Sequence, residues 1–301
     1  MIKSLLKTIA EQPLVGDGAM GTQLQIAGLE PGGCGEAWNL QHPQKVLAIQ
    51  KAYADAGSDC LITNTFGACR IMLERHGLAD QVEAINTAGV RIAREAFGSR
   101  EGFVLGDIGP FGGLMEPLGE VSEKDVRKAF REQAHALVNA GADAIIIETQ
   151  TALEEIGLAL SAAQEAGASC IIGSMAYDVF TDGSDFRTMM GIGPEDAALF
   201  IRDHGAHIVA LNCGTGMDMV RAAEAVGRYR SSCDLPVMAK PNAGLPELEN
   251  MKVVYKQVPE DMVKGLPDLL DAGASIIGGC CGSTPEHIRL FRQAVDKIHN
   301  N

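Results

Sequence analysis

No stretch of this chain reaches about eighteen consecutive apolar residues, the length that would cross a bilayer. The opening MIKSLLKTIAEQPL has a short apolar patch followed by Glu11, not the apolar core of a signal peptide. Membrane insertion and secretion are therefore not expected, and the chain is read as cytoplasmic. Basic charge is also scarce. Lys and Arg number 25 against 39 Asp and Glu, a net charge of −14 spread without blocks of one sign. A nucleic-acid surface needs clustered Lys and Arg, so that class of partner is excluded. A disulfide framework is missing as well. The eight cysteines, at positions 34, 60, 69, 170, 213, 233, 280 and 281, lie in a long chain read as cytoplasmic, with no C-x₂-C pair among them.

What the chain does have is alternation. Of its 301 residues 46% are hydrophobic and 21% charged, enough to build a large core. Short apolar runs occur at 13–21, 60–67, 103–110, 144–150, 170–177, 207–214, 235–244 and 275–282. Each has the length and β-branched content of a buried parallel strand. Helical stretches separate them, at 43–56, 81–97, 122–140, 151–166, 194–204, 216–231, 259–272 and 284–299. In the third of these, Ser122 with Asp125 resembles a capping box, and Val126, Phe130, Ala134, Leu137 and Val138 share one face.

Eight strand–helix units predict an α/β fold, a single (β/α)₈ TIM barrel over residues 1–301, with a doubly wound sheet of two halves as the alternative. Two features favour the barrel. A weak repeat marks the helix-to-strand turns: DAGSDCLI (55–62), NAGADAII (139–146), EAGASCII (165–172), DHGAHIVA (203–210) and DAGASIIG (271–278). Glycine after the helix supplies the left-handed residue that ends it. By contrast, the segments following strands are long at 19–42, 108–121, 177–193 and 243–258. Long loops at one end of a barrel form its active face.

Polar residues at the carboxyl ends of the strands then share one mouth. In order they are Asp17, Asn64, Asp107, Glu148, Ser174, Asn212 with Cys213, Asn242, and Cys280 with Cys281. The sixth and eighth strand ends bring three thiols to one region. Three thiolates with an open fourth position suit a catalytic zinc, whereas a structural zinc closes with four protein ligands. Adjacent residues of a regular strand face opposite ways, so Cys280 and Cys281 need a backbone bend, which the glycines of GGCCG permit. The competing reading is three packed core cysteines, as expected for Cys60 and Cys170. All seven His fall in helices or loops, His287 as a first-turn surface residue. A lysine-dependent, metal-free barrel would use Lys240, but leaves the thiols unexplained.

The ordered motifs GDGAMGTQLQ, TNTFGA, IETQT, LNCG, PNAGLP and GGCCGSTPEHI resemble the homocysteine S-methyltransferase family, over about residues 12–298. DGAMGT and PNAGLP are most similar to the N-terminal homocysteine domain of its cobalamin-dependent branch. The resemblance implies a barrel holding Zn²⁺ through Cys213, Cys280 and Cys281, with Asn242 near the metal when substrate is absent and homocysteine sulfur in the fourth position. A substrate ammonium then needs an acceptor, for which Glu148 is preferred and Asp17 is second. The backbone of Gly18, Ala19 and Met20 can hold the carboxylate as an anion nest. Asn64 and Ser174 are expected to line the site. No corrinoid-binding module with a DxHxxG stretch is found in the sequence. A methylcobalamin-type donor would therefore arrive on a partner corrinoid protein docking over the mouth. A sulfonium donor (S-methylmethionine or S-adenosylmethionine) would need no partner. Another thiol acceptor, the reverse demethylation, and a barrel inert without its partner remain open readings.

Overall fold

The computed structural model describes residues 4–249 and 252–299. The strands, in chain order, are β1 (Leu14–Val15), β2 (Cys60–Ile62), β3 (Phe103–Ile108), β4 (Ala144–Gln150), β5 (Ile171–Met175), β6 (Asp178–Val179), β7 (Phe186–Arg187), β8 (Ile208–Asn212), β9 (Val237–Lys240), β10 (Pro246–Glu249), β11 (Lys252–Tyr255) and β12 (Ala274–Ile277). Eight of them run parallel in one sheet of order β1-β12-β9-β8-β5-β4-β3-β2. The pairs β6–β7 and β10–β11 are antiparallel hairpins in the loops after β5 and β9.

The sheet order leaves β1 and β2 at opposite ends, and two aspartates join them. Val15 N–H donates to Asp59 Oδ2 at 2.8 Å, and Asp59 N–H to Val15 O at 2.7 Å. Ile62 N–H donates to Asp17 Oδ2 at 2.7 Å. Side-chain carboxylates thus substitute for a missing backbone ladder, and the sheet curls into a nearly closed barrel rather than a doubly wound sheet.

The helices are α1 (Leu5–Glu11), α2 (Met20–Ile26), α3 (Trp38–Gln41), α4 (Pro43–Asp55), α5 (Arg70–Glu74), α6 (Val82–Phe97), α7 (Glu123–Asn139), α8 (Leu153–Glu165), α9 (Pro194–Asp203), α10 (Met219–Ser232), α11 (Pro259–Met262), α12 (Leu266–Asp271) and α13 (Pro285–His299). Ser122 caps α7 as expected, accepting from Asp125 N–H. The glycines of the five repeated turns, Gly57, Gly141, Gly167, Gly205 and Gly273, all have positive φ. The helix expected over 259–272 is broken by a 3₁₀ turn at Val263–Gly265. Pro267 lacks an N–H, and its ring would clash with the carbonyl of Val263 in a continuous helix.

Alternate residues of each strand face inward. The lower interior is apolar: Leu14, Cys60, Ile62, Phe103, Leu105, Ala144, Ile146, Cys170, Ile172, Ile208, Ala210, Met238 and Ile276 form one cluster. Leu5 and Ile9 of α1, a helix additional to those expected from the sequence, complete that cluster beside the first residues of the strands. One step further along the same inward faces come Asp107, Glu148, Ser174, Asn212 and Lys240. The barrel is closed by hydrocarbon at one end and lined with polar groups at the other.

Candidate metal centre

Two turns aim the cysteines. β8 ends at Asn212, and Cys213 then adopts φ 59°, a left-handed conformation that costs a non-glycine residue energy. Gly214 follows at φ 86°, and a Cβ there would lie 1.7 Å from Tyr177 O, so no side chain is tolerated. Beyond β12 the chain stays tied to its neighbours: Gly279 N–H donates to Asp17 O (2.9 Å), Cys280 N–H to Pro241 O (2.8 Å) and Ala243 N–H to Cys281 O (2.9 Å). A turn closed by Ser283 N–H on Cys280 O (3.1 Å) supplies the bend.

The three sulfurs consequently lie within 4.8 Å of one another, with Cys213 and Cys281 3.7 Å apart. Two thiolates on one tetrahedral zinc, at Zn–S bonds of about 2.3 Å, stand about 3.8 Å apart. All three cysteines are partly exposed. Among the described residues this is the one group of three or more His, Cys, Asp or Glu side chains close enough to share an ion. Hydrogen bonds from Cys213 and Cys280 pull the Cys281 thiol down to about 3, while Cys213 is pushed up. The other cysteines do different work. Cys60, Cys69, Cys170 and Cys233 are buried, and Cys34 Sγ donates to Glu36 Oε2 at 3.4 Å.

A polar frame supports the sulfurs. Asn212 Nδ2 donates to Thr149 Oγ1 (2.7 Å) and reaches Cys280 Sγ (3.8 Å). Asn212 Oδ1 accepts from Ser174 Oγ (2.6 Å) and Thr149 N–H (2.9 Å). Thr149 itself is strained at φ 60°. Asn242 Nδ2 donates to Gly214 O (2.9 Å), while its buried Oδ1 has no hydrogen-bond partner among the described residues. A buried acceptor without a donor beside a trio of sulfurs fits a cation. Soft thiolate donors favour zinc over magnesium or calcium.

Below lies a cluster of charge. Asp107 and Glu148 sit side by side, and two carboxyl groups can hydrogen-bond only through a shared proton. Burial and the Glu148 charge push Asp107 well above the usual range. Burial also lifts Glu148 to about 7, with Cys280 and Asp17 adding to the rise and Lys240 opposing it. Asp17 is engaged at both oxygens: Oδ1 accepts from Lys240 Nζ at 2.8 Å and Oδ2 from Ile62 N–H. Burial works against the Lys240 charge, but Asp17, Glu148 and Cys280 outweigh it and hold the amine protonated, which denies it the nucleophile's role.

The turn at Gly18, Ala19 and Met20 abuts the cysteine turn, since Ala19 N–H donates to Ser283 Oγ (3.1 Å) and Ala19 O accepts from Tyr53 (2.9 Å). The opening turn of α2 leaves its first N–H groups without intrahelical acceptors. Asn64 is occupied elsewhere, donating to Gly35 O (2.8 Å) and Asn39 Oδ1 (3.0 Å) and so fastening that loop to the end of β2. One expectation is corrected. His287 is not a surface residue but 3% exposed. Its Nδ1 accepts from Thr284 N–H (3.1 Å), so its Nε2–H donates to Gln257 O (3.0 Å), locking α13 to the segment that follows β11. Thr149 and Tyr255, whose hydroxyl hydrogen-bonds Cys281, were missed. Thr149 carried a signal in its place beside Glu148, but nothing local pairs Tyr255 with a cysteine so far along the chain.

The profile of the family described as homocysteine S-methyltransferase matches residues 14–295. The chain belongs to the homocysteine S-methyltransferase family. Within reach of this family, methionine synthases from Mycobacterium leprae and Mycobacterium tuberculosis are 32% and 33% identical over 98% of this chain. The chain spans about a quarter of the length of these relatives, 25% of each. Among solved structures, the metallated form of the homocysteine methyltransferase MmuM from Escherichia coli superposes with a TM-score of 0.78 at 22% identity, covering 96% of this chain and 99% of that one. Its apo form gives 0.71. At that identity the likeness supports the barrel fold. Among the described residues no helix is long and apolar enough to cross a membrane.

Proposed function

We propose that this chain is a cytoplasmic, zinc-dependent S-methyltransferase acting as one homocysteine-binding barrel and producing methionine. The observation that carries the reading is the convergence of the Cys213, Cys280 and Cys281 sulfurs, partly exposed, at the barrel mouth. Those three side chains would hold the zinc, with Asn242 Oδ1 beside it. A zinc ion there supplies the Lewis acidity that converts a coordinated thiol, with a free pKa of about 8.5, into a thiolate at neutral pH.

The chain's own residues bind and orient. Glu148, backed by Asp107, accepts the substrate ammonium, and the backbone of Gly18, Ala19 and Met20 receives its carboxylate. Ser174 orients Asn212, which in turn steadies Cys280. Asn64 contributes by fixing the loop at the end of β2. In the transfer the substrate sulfur forms a bond to the methyl carbon as the carbon–donor bond breaks.

The donor in this reading is a methylcorrinoid presented by a separate protein. Support comes from the mouth itself, where Leu114, Leu118, Met189, Leu245 and Leu248 stand exposed on loops that follow strands. Exposed apolar side chains gathered at one end suit a macromolecular partner. A sulfonium donor, which would need no partner protein, is the second reading.

The test combines metal analysis with methyl transfer to homocysteine from methylcobalamin, a methylcorrinoid protein, S-methylmethionine or S-adenosylmethionine. Bound zinc and methionine formation are expected. Zinc-loaded protein that neither methylates nor demethylates any thiol with any of these donors would falsify the enzyme reading.

A further inference from the structure

Among the described residues Lys240 is the one buried lysine or arginine, and methyl transfer as derived above gives it no task. Its ion pair with Asp17 is closed to solvent, with side-chain exposures of 6% and 3%. The backbone makes room for it: a Cβ on Gly278 would stand 3.3 Å from Lys240 Cγ and 2.6 Å from Asp17 O. Burying two charges is expensive, and an apolar pair of similar volume would serve stability as well or better. The pair therefore points to a task beyond packing.

The geometry around it suggests what that task is. Three carboxylates, Asp17, Asp107 and Glu148, occupy the interior just below the sulfurs. Each is an acceptor of the kind a substrate ammonium needs. Lys240 takes Asp17 Oδ1, and Ile62 N–H takes Oδ2. That leaves the Asp107–Glu148 pair, with Asp107 Oδ1 still lacking a donor.

We propose that Lys240 is a specificity-determining positioning residue: by occupying Asp17 it leaves the Asp107–Glu148 pair as the single ammonium acceptor, so that an α-amino thiol binds in one orientation with its sulfur at the cysteine trio. The inference rests on the methyltransferase reading above. Its consequence is a single productive binding mode for thiols carrying an α-ammonium.

The test measures binding and turnover of homocysteine and of 4-mercaptobutyrate, its analogue without the amine, on the zinc-loaded full chain. In Lys240→Met, Asp17 becomes a competing acceptor. Homocysteine held there is bound unproductively, so kcat and KM for homocysteine fall together, by about tenfold, the loss of one charged hydrogen bond's worth of discrimination. The values for 4-mercaptobutyrate stay put. The double variant Asp17→Asn with Lys240→Met removes the competitor, keeps an acceptor for Ile62 N–H, and returns both constants toward those of the parent. Equal losses for the two thiols, or no recovery in the double variant, overturn the proposal. So does a Lys240→Met chain that fails to fold while the double variant folds and behaves as the parent, which assigns the pair to stability alone. If the parent binds neither thiol, the methyltransferase reading itself fails and the inference falls with it.

Discussion

Ile146 and Glu148 lie two residues apart on the same inward face of β4, yet they experience different surroundings. Ile146 packs among Leu105, Ile172 and Ile62 above the plug formed by Leu5 and Ile9. Glu148 shares its layer with Asp107, Lys240, Asn212 and Ser174. Alternation along a strand sends both inward, so alternation cannot explain the difference. The lower layer gains from removing hydrocarbon from water, at roughly 25 cal/mol per Å². The upper layer loses solvation and offsets the loss by pairing: Asp17 with Lys240, Ser174 with Asn212, Asp107 with Glu148. Stability is concentrated below and chemistry above.

That contrast can be broken most severely at the sulfurs. Replacing Cys213, Cys280 or Cys281 with Ala should abolish bound zinc, measured by elemental analysis, together with methyl transfer. The same change at Cys60, in the lower layer, should leave metal content intact and cost about 1 kcal/mol of stability. Next in size, Ile146→Ala should lower unfolding stability by about 2–5 kcal/mol in a denaturant titration without altering metal content. A matching loss of zinc there would show that the two layers are not separable.

Glu148→Gln should act in the opposite sense. KM for homocysteine is expected to rise about 100-fold with the loss of a charge-assisted contact, while stability does not fall. The sign follows from the raised folded-state value. Glu148 prefers its proton in the fold, so it costs stability as pH rises from its unfolded value of 4.5 toward about 7 and beyond. Gln removes that cost at pH 8, worth roughly 1–3 kcal/mol. By the same titration, KM of the parent should climb as pH drops through about 7, and the variant's KM should not follow; identical profiles would remove Glu148 from substrate binding. The smallest effect is expected for Ser174→Ala, about tenfold weaker zinc binding through a loosened Asn212, read by chelator competition.

Much of the barrel was legible because its signals are local. Short β-branched runs and helices with one apolar stripe recur eight times over, glycine marks five of the helix ends, and each signal needs only a few neighbouring residues to act. The thiols were legible too, because a strand end in a barrel faces the mouth whatever the rest of the chain does. What was illegible depends on distance along the chain. Asp17 stands in the sequence without a visible partner, and only the fold sets Lys240, 223 positions away, against it. His287 looked exposed until Gln257 was found against it.

The amino-acid order alone therefore determined the repeating strand–helix alternation, the end of the barrel that carries polar groups, and the gathering of three sulfurs there. Periodicity and turn chemistry act within a few residues, and nothing distant alters them. Only the tertiary structure decided which carboxylates stay available, that aspartate side chains seal the gap between β1 and β2, and that Asn212 and Thr149 brace Cys280. Those choices exist only once the sheet curls round, because closure sets side by side groups that the linear chain keeps far apart.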